Sequence, residues 1–380
     1  MSAVPSTQTA LLLSAPGTPF TVSTRAVPVP GAGQVLIKVH AAALNPIDAM
    51  MQKAGHLFTE WPAVAGNDGA GEVVALGEGV HEVQVGDRVL FQCWFTVDRG
   101  TFQQYAIADA ARAIKFPKTI TYDEAATIPL CFFTAALGYY GTYDVAVDTM
   151  QFRGIGLDIP VGEGAGKYKD EPILIPGGAS SVGQFAIQLA KLSGFNPIIT
   201  TCSKSNESYC LSAGATHVID YKTVPYTSLA SHITSNITSK PFKVIYDAVS
   251  TEDSQAASWS ILSDTEGLGS KAGTGGKLVI TLPPAKSIAS ELDEKQFAKN
   301  GSKSASWAYG NGNGQPTQAD ANKLARALEG WLIEGKIKPN KVELLPGGLS
   351  AVDSNVGRFH SGGTSGAKLV VRPFETIAPA

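Results

Sequence analysis

A glycine-rich segment, residues 172–194, carries the groups of this chain that are best suited to bind phosphate. Gly177 and Gly178 permit a tight turn, and Ser180 and Ser181 lead from it into a segment with an apolar stripe. Such a turn directs free backbone N–H groups and the positive end of a helix dipole to one point, which suits a pyrophosphate. Because the spacing is GGxxxxG rather than GxGxxG, the pattern alone leaves open a glycine turn without a ligand.

The loop after the next predicted strand indicates which nicotinamide cofactor would bind. In an NAD-binding unit, an Asp or Glu about 20 residues beyond the glycines binds the ribose 2′-hydroxyl. At this place the chain has Ser203, Lys204 and Asn206, with no carboxylate before Glu207. These groups donate hydrogen bonds or carry positive charge, as a 2′-phosphate requires, so the loop predicts NADPH rather than NADH. Tyr221 is a candidate for closing the adenosine side, and a solvated polar loop is the alternative interpretation.

The elements that would position these groups are a strand, a turn, a helix and a second strand. Residues 173–175 form an apolar run that is too short for a helix and suits a buried strand. Apolar side chains from Val182 to Leu189 follow the helical spacing i, i+3, i+4 and i+7. Further strand-like runs at 198–202, 243–249 and 277–282 extend this pattern past Leu282. The sequence therefore predicts an α/β region with a doubly wound parallel sheet.

The regions on either side of this α/β region have a different pattern. Residues 9–43 show β alternation, and the apolar run 367–371 predicts a final strand that returns to the same β domain. We interpret His40 as structural because it alternates within a strand. The glycine-rich stretch 154–166 predicts a surface excursion without chemistry, and the polar stretch 302–318 predicts a mobile loop or surface filler.

Composition excludes several function classes. The 380 residues are long enough for two domains, and a net charge of −3 without a basic run gives no basis for nucleic-acid binding. The longest aliphatic run near the start, residues 10–13, is too short for a signal peptide or a membrane span, so a cytoplasmic protein without membrane contact is expected.

Several motifs jointly resemble the medium-chain dehydrogenase/reductase superfamily, and the order of the predicted elements matches it across nearly the whole chain. Within that superfamily the chain most resembles the zinc-free quinone oxidoreductase and enoyl reductase branch, especially fungal ToxD-like and trans-acting enoyl reductases. Their turn also reads GGxxxxG and is followed by a Ser-x-x-Asn loop. The matching motifs are LNPID at 44–48, AGNDGAG at 65–71, VGDRV at 85–89, the turn at 177–183, KIKP at 336–339 and SGAKL at 365–369.

The resemblance implies a GroES-like β domain from residues 1–135 and 325–380, and a Rossmann domain from residues 136–324. NADPH would lie between the two, with Thr134 near its carboxamide. The other implied cofactor contacts are Asn45, Pro46, Ile47 and Asp48 at the nicotinamide, Ser180, Ser181 and Val182 at the pyrophosphate, Ser203, Lys204, Asn206 and Tyr221 at the 2′-phosphate end, and Leu282 and Lys368 along the cleft.

Departures from the zinc-dependent relatives argue against a metal. Those relatives use a Cys, a Gly-His-Glu and a second Cys as catalytic ligands, and four further cysteines for a structural metal. Here the first position is Asn45 and the second reads Gly66-Asn67-Asp68. The chain has four cysteines in all and no CxxC pair, so we interpret them as buried or incidental thiols and predict no metal site.

The predicted reaction is hydride transfer from NADPH to the C=C bond of a small α,β-unsaturated carbonyl compound. Asn45, Thr134 and His56 are the candidate catalytic residues. His56 lies where some enoyl reductases have a tyrosine proton donor, although a surface histidine, with solvent as the acid, is an equal alternative. An NADPH quinone oxidoreductase and a non-catalytic NADPH-binding sensor or scaffold stay open as other functions, and the relatives include both monomers and homodimers.

Overall fold

The computed structural model describes residues 4–55, 57–147, 150–269, 275–293, 298, 302–359 and 364–376, with the backbone alone at 147 and 150. The chain forms two compact units. The first contains Met1–Leu130, Ala325–Gly335 and Pro339–Ala380, and the second contains Cys131–Leu324 and Lys336–Lys338. Residues 131–135 and 336–338, which the sequence analysis placed in the β domain, therefore belong to the second unit.

The strands and helices are numbered in chain order. The strands are β1 Thr7–Leu13, β2 Phe20–Ala26, β3 Gln34–Ala43, β4 Ala63–Val64, β5 Asp68–Leu76, β6 Arg88–Gln92, β7 Tyr105–Asp109, β8 Ile114–Lys115, β9 Asp144–Val147, β10 Met150–Arg153, β11 Ile173–Pro176, β12 Ile198–Cys202, β13 His217–Asp220, β14 Val244–Asp247, β15 Lys277–Ile280, β16 Ser304–Trp307, β17 Val342–Leu344 and β18 Lys368–Val371. The helices are α1 Pro46–Ala54, α2 Tyr122–Ala126, α3 Pro129–Tyr140, α4 Ser181–Ser193, α5 Glu207–Ala213, α6 Tyr226–Asn236, α7 Glu252–Ile261, α8 Lys286–Ala289, α9 Gln318–Ile333 and α10 Val352–Val356. Among the helices that the structure describes, none has the length and apolarity needed to cross a membrane.

The first unit is mostly β. Its larger sheet has the order β17-β18-β3-β5-β6-β8, with β7 also paired to β3, and a smaller sheet has the order β2-β1-β4. The strand β18 pairs antiparallel with β3, so the end of the chain joins the sheet that begins near its start, as the sequence analysis expected. Buried side chains such as Leu11, Ile37 and Phe102 form the core.

The second unit contains an eight-stranded sheet with the order β13-β12-β11-β14-β15-β16-β10-β9. The pairs from β13 through β16 are parallel, which is the predicted doubly wound arrangement. The strands β11, β14 and β15 are mostly apolar and almost fully buried because helices cover a parallel sheet on both faces. The predicted fold class, a GroES-like β domain with a Rossmann domain, is confirmed.

Two segments differ from the sequence-based expectation. Residues 304–307 form the buried parallel strand β16, so the prediction of a loop across 302–318 is wrong there. This buried strand lacks the apolar run that usually indicates one, because its side chains include the small residues Ser304, Ala305 and Ser306. The hairpin of β9 and β10 extends the sheet beyond β16, and the sequence analysis did not predict it.

Candidate active site

Three neighbouring strands bring five polar residues together in the first unit. The register pairs Ala43 at the end of β3 with Asp68 at the start of β5 on one side, and with Val370 of β18 on the other. The residue that caps α1 and the first residues of β5 and β18 therefore meet. We call Asn45, Asp48, Asn67, Asp68 and Lys368 the polar cluster; each is at most 4% exposed.

The centre of the polar cluster is an ion pair between Lys368 and Asp68. Lys368 Nζ donates to Asp68 Oδ2 at 2.6 Å and to Asn45 Oδ1 at 2.8 Å. Asn45 Nδ2 also donates to Asp68 Oδ2, at 2.9 Å, and the backbone N–H of Leu130 donates to Asp68 Oδ1 at 2.6 Å. Removing two charges from water is costly unless each is well paired, and this arrangement pairs them.

Asp48 is a second buried carboxyl group of the polar cluster. Its Oδ2 accepts from the backbone N–H of Asn45 at 2.7 Å, and its Oδ1 accepts from Asn67 Nδ2 at 3.3 Å. Burial raises the pKa of Asp48 to about 7, although these hydrogen bonds work in the opposite direction. The Cys93 thiol donates to Asn67 Oδ1 at 3.9 Å, and burial raises the pKa of this thiol well above its usual value.

A narrow hollow without room for a water molecule adjoins the polar cluster. Asp48, Asn67 and Cys93 form its polar part, and apolar side chains such as Phe58 and Phe95 form the rest. Phe58 and Phe95 meet edge to face, with ring centroids 6.4 Å apart. The side chains around this part of the polar cluster are therefore closely packed, with no space for a ligand between them.

The polar cluster does not fit a zinc ion. The positions that correspond to zinc ligands in the zinc-dependent relatives carry Asn45, Asn67 and Asp68, and the ammonium of Lys368 lies among them. Tetrahedral zinc sites use thiolate, imidazole and carboxylate ligands, and a cation held between these oxygens would repel a metal ion. Within the part of the chain that the structure describes, no group of three or more His, Cys, Asp or Glu residues could hold a metal.

In the second unit, the predicted phosphate turn begins a long helix. Ser180 caps α4: its Oγ accepts from the backbone N–H of Gly183 at 3.0 Å and donates to the carbonyl of Ala248 at 3.4 Å. Ser181 and Val182 form the first turn of α4, and no protein acceptor is found for their backbone N–H groups among the described residues. Such groups and the helix dipole fit a pyrophosphate.

The glycines of this turn are required by close contacts. Gly177 has a φ of +79°, and a Cβ at this position would overlap Val249. At Gly178 a Cβ would overlap Thr200, and at Gly183 it would overlap the carbonyl of Gly177. The strand, the turn and the helix therefore pack so closely that backbone N–H groups border the open side.

The predicted 2′-phosphate loop follows β12, beside this turn. Ser203 Oγ lies 3.1 Å from Ser205 Oγ and accepts from Asn206 Nδ2 at 3.2 Å. Lys204 is highly exposed and forms an ion pair with Glu207 at 2.5 Å, which raises the pKa of Lys204. The loop thus places an ammonium, hydroxyl groups and an amide together.

The other predicted cofactor residues of the second unit follow from the same topology. Tyr221 comes directly after β13, and Leu282 comes two residues after β15; both are exposed. Since β11, β12, β13 and β15 are parallel, Tyr221, Leu282, Ser180 and Lys204 follow strand ends at one edge of the sheet. Thr134 lies on α3, where its carbonyl accepts from the Tyr246 hydroxyl at 2.8 Å.

Some predicted residues stand apart from these two groups. His56 lies outside the described residues. Pro46 and Ile47 form the first turn of α1, next to Asn45. The predicted cofactor contacts of Asn45, Asp48 and Lys368 stay predictions. The structure shows their side chains bonded within the polar cluster.

Similarity to known proteins identifies the family to which this chain belongs. Residues 31–118 match the model of the alcohol dehydrogenase GroES-like domain, and residues 181–301 match the model called zinc-binding dehydrogenase. The trans-enoyl reductase FMN2 of Fusarium mangiferae is 30% identical over 90% of this chain and 93% of its own length. This chain belongs to the medium-chain dehydrogenase/reductase superfamily. It is therefore an oxidoreductase, and enoyl reductases of this superfamily use nicotinamide cofactors.

Other members of the superfamily agree with this assignment. The trans-enoyl reductase grgB of a Penicillium species is 28% identical over 91% of this chain and 92% of its own length. Among solved structures, an alcohol dehydrogenase superfamily protein from Novosphingobium aromaticivorans has a TM-score of 0.71 at 24% identity, covering 93% of this chain and 95% of its own. The CurK enoyl reductase has a TM-score of 0.70 at 22% identity, covering 96% and 99%. At these identities the solved structures show the shared fold alone.

Two buried residues of the polar cluster in this medium-chain dehydrogenase/reductase, Asn67 and Asp68, were not predicted as site residues. From the sequence they stood out only as replacements for zinc ligands. A charged residue between glycines at the start of a strand was the available signal, because a buried carboxylate requires a partner. The partner, Lys368, is 300 residues away in the chain, so only strand pairing identifies it.

Proposed function

We propose that this protein is an NADPH-dependent ene or enoyl reductase that reduces the C=C bond of α,β-unsaturated carbonyl compounds without a metal ion. The observation that carries this proposal is the similarity to a trans-enoyl reductase over nearly the whole length of both chains. The polar cluster supports it, because the ammonium of Lys368 bonds to Asn45 and Asp68, which stand at sequence positions of zinc ligands in the zinc-dependent relatives.

The second unit supports NADPH as the cofactor, which supplies the hydride when it is bound. In this proposal the backbone N–H groups of Ser181 and Val182 donate to the pyrophosphate. Lys204 and Ser203 bind the 2′-phosphate, and no carboxylate of this loop precedes Glu207. The protein's part in the reaction is then mainly to orient two reactants.

Hydride addition to the β-carbon leaves an enolate, which requires hydrogen-bond donors at its oxygen and a proton at its α-carbon. One hydride and one proton together saturate the C=C bond. We propose His56, or solvent, as the source of the proton, and Thr134 as a residue at the nicotinamide carboxamide. Because the side chain of Asn45 is bonded to Lys368 and Asp68, we propose that Asn45 fixes the start of α1 beside the nicotinamide.

The substrate in this proposal is a small, free enal or enone, reduced in the cytoplasm. The chain has a low share of charged residues, 17%, and its sequence shows no run of charges that would favour a carrier protein as the donor of the substrate.

The test follows NADPH oxidation with a conjugated enal, an enone, a quinone and a saturated aldehyde in parallel, and identifies the products by mass. We expect the enal or the enone to gain two hydrogens at the C=C bond. A matched reaction with NADH should be slower at equal, subsaturating concentration. Treatment with a chelator should leave the rate unchanged.

Three results would overturn the proposal. Consumption of NADPH with the quinone alone, yielding a hydroquinone, would identify a quinone oxidoreductase. Binding of NADPH without turnover of any compound on a broad panel would identify a non-catalytic sensor or scaffold. Reduction of the saturated aldehyde to an alcohol with the C=C compounds untouched would also contradict the assigned reaction.

A further inference from the structure

The turn after β14 has an unusual backbone. Ser250 has a φ of +53°, one of two positive values among the non-glycine residues described. The left-handed region is unfavourable for a residue with a Cβ, and it persists only where surrounding contacts impose it. Ser250 is 4% exposed and lies at the same edge of the sheet as the glycine turn. The surrounding contacts therefore identify what requires this conformation.

Asp247, the last residue of β14, holds the turn from one side. Its Oδ1 accepts from the backbone N–H of Ser250 at 2.7 Å and from that of Val249 at 3.1 Å. Its Oδ2 accepts from the hydroxyl of Ser254 at 2.7 Å. Asp247 is fully buried, so these donors replace the water that its carboxylate would otherwise bind.

The hydroxyl of Ser250 joins this turn to the end of the neighbouring strand, β15. It donates to the carbonyl of Asp247 at 2.7 Å and accepts from the backbone N–H of Thr281 at 2.8 Å. Thr281 directly precedes Leu282, one of the predicted cofactor contacts. Glycine would adopt the left-handed backbone more easily, but it has no hydroxyl with which to make this link.

Gln255 makes a second link between the same two strand ends. Its Nε2 donates to the carbonyl of Ser250 at 3.1 Å and to the carbonyl of Pro283 at 3.0 Å. Its Oε1 accepts from the backbone N–H of Ala285 at 2.8 Å. Gln255 is 1% exposed, so this amide serves the segments after β14 and β15 rather than solvent.

The turn after β14 also contacts the glycine turn after β11. The carbonyl of Ala248 accepts from the Ser180 hydroxyl at 3.4 Å, and the backbone N–H of Ala248 donates to the carbonyl of Pro176 at 3.0 Å. Val249 occupies the space that a side chain at Gly177 would need. Three strand ends, those of β11, β14 and β15, are thereby connected through residues 248–250.

We propose that Ser250 is a positioning residue for the cofactor: its left-handed backbone and its hydroxyl fix the segment after β15 against the glycine turn. The inference rests on the cofactor binding in the proposed function, and it concerns the shared part of NADPH and NADH. The strain at Ser250 is retained because the hydroxyl link requires a serine at this position.

The test compares Ser250→Gly, Ser250→Ala and wild type by dissociation constants for NADPH and NADH, measured by titration without substrate, together with thermal unfolding. Loss of the hydroxyl link should weaken both nucleotides about tenfold in either variant. Ser250→Gly should keep a melting temperature near that of wild type, because glycine removes the strain, whereas Ser250→Ala should melt lower. In turnover, the KM for NADPH should rise while the KM for the enone stays unchanged.

Ser193→Ala is the matched control. Ser193 is 1% exposed and its hydroxyl lies 2.8 Å from the Tyr140 hydroxyl, at the end of α4 that is distant from the glycine turn. This variant should melt lower and bind both nucleotides as wild type does. If Ser250→Gly binds them as wild type does, or if affinity simply follows melting temperature across the three variants, the positioning role is overturned.

The design separates this inference from the proposed reaction. Titration needs no substrate, so a wild-type protein that binds a nicotinamide nucleotide but leaves C=C bonds untouched contradicts only the reaction. Normal C=C reduction by wild type, combined with unchanged affinity in Ser250→Gly, contradicts only the positioning role. A wild-type protein that binds neither nucleotide overturns both.

Discussion

The polar groups of the first unit's polar cluster and those of the turns after β11 and β12 in the second unit are bonded in opposite ways. In the cluster, a buried ammonium and a buried carboxylate bond to each other and to Asn45. In the turns, the N–H groups of Ser181 and Val182 meet no protein acceptor among the described residues, and Lys204 has only an exposed ion pair. The cluster is closed on itself, whereas the turns are open to a ligand.

This difference separates two kinds of functional residue. Side chains that support a site form their hydrogen bonds within the protein, so replacing them mainly lowers the free energy of unfolding. Groups that bind a ligand leave hydrogen-bonding positions available for it, so replacing them mainly weakens ligand binding. A substitution in each region, with both the free energy of unfolding and nucleotide affinity measured, tests whether one region serves stability and the other serves binding.

The largest expected effect is on the stability of the polar cluster. Lys368→Met removes the ammonium and leaves the fully buried Asp68 carboxylate without its ion-pair partner. We expect the free energy of unfolding to fall by about 3–5 kcal/mol, the usual cost of breaking a buried ion pair from one side. Urea unfolding followed by tryptophan fluorescence measures it. Lys368→Met/Asp68→Asn should recover part of the loss, because the stranded charge is removed.

An exposed ion pair provides the control for this experiment. Lys167 and Asp158 are 2.7 Å apart, with side chains 51% and 52% exposed. Lys167→Met should change the free energy of unfolding by about 0.5 kcal/mol or less, because solvent screens such pairs. Equal losses in Lys368→Met and Lys167→Met would show that the cluster is not a closed, buried network.

The second expected effect is a pH dependence that comes from Asp48. Burial raises the pKa of Asp48 to about 7 in the folded protein, whereas an unfolded chain has an ordinary value near 3.8. The folded state therefore binds the Asp48 proton more tightly than the unfolded state does. The contribution of this proton to the free energy of unfolding is fully present below pH 4 and is lost as the pH rises through 7. Wild type should lose about 2–4 kcal/mol over this window relative to Asp48→Asn.

The measurement is urea unfolding of wild type and Asp48→Asn at several pH values between 4 and 8. Subtracting the two curves cancels the other titrating groups, since both proteins share them. A difference that stays constant across this range would show that Asp48 titrates at an ordinary pKa and is not desolvated in the cluster.

Much of the second unit could be predicted from the sequence, because its signals are local. A short apolar run, a glycine turn and an apolar stripe predicted β11, α4 and β12, and parallel topology then predicted that Ser180 and Lys204 follow strand ends at one edge. The pairing of Lys368 with Asp68 could not be predicted in this way. It depends on the register of β18, β3 and β5, which no local pattern encodes.

Two further features show where local patterns fail. Ser304 and Ser306 are ordinary loop residues by type, and only pairing with the neighbouring strands β15 and β10 makes residues 304–307 a strand. Ser250 looks like any turn serine in the sequence, since a positive φ is expected at glycine. In both cases the deciding partner lies in, or directly after, another strand of the sheet.

The third expected effect concerns the close contact at the glycine turn. Gly183→Ala places a Cβ against the carbonyl of Gly177, so helix and strand must separate. We expect a loss of about 1–3 kcal/mol in stability, as for other overpacked sites, and weaker NADPH binding. Thermal unfolding and nucleotide titration measure the two effects.

Gly330 is the matched control, because it also lies in a helix, α9, and a Cβ there meets open space. Gly330→Ala should stabilise the protein by about 0.5–1 kcal/mol, since alanine loses less backbone entropy in a helix. A loss of stability in both variants, or in neither, would contradict the contact described at Gly183.

The smallest expected effect is on cofactor choice and involves no buried group. Lys204→Ala should weaken NADPH about tenfold and leave NADH nearly unchanged, because only NADPH carries the phosphate that the ammonium would bind. Melting temperature should stay at the wild-type value, since the pair with Glu207 is exposed. Lys240→Ala serves as the control. Lys240 is exposed, and its ammonium donates to the carbonyl of Asp170. Lys240 lies shortly before β14 begins, and so away from the sheet edge where the parallel strands end. If Lys204→Ala weakens both nucleotides equally, the loop senses no 2′-phosphate, and the contrast between a closed cluster and an open receiving edge would stand without a preference for NADPH.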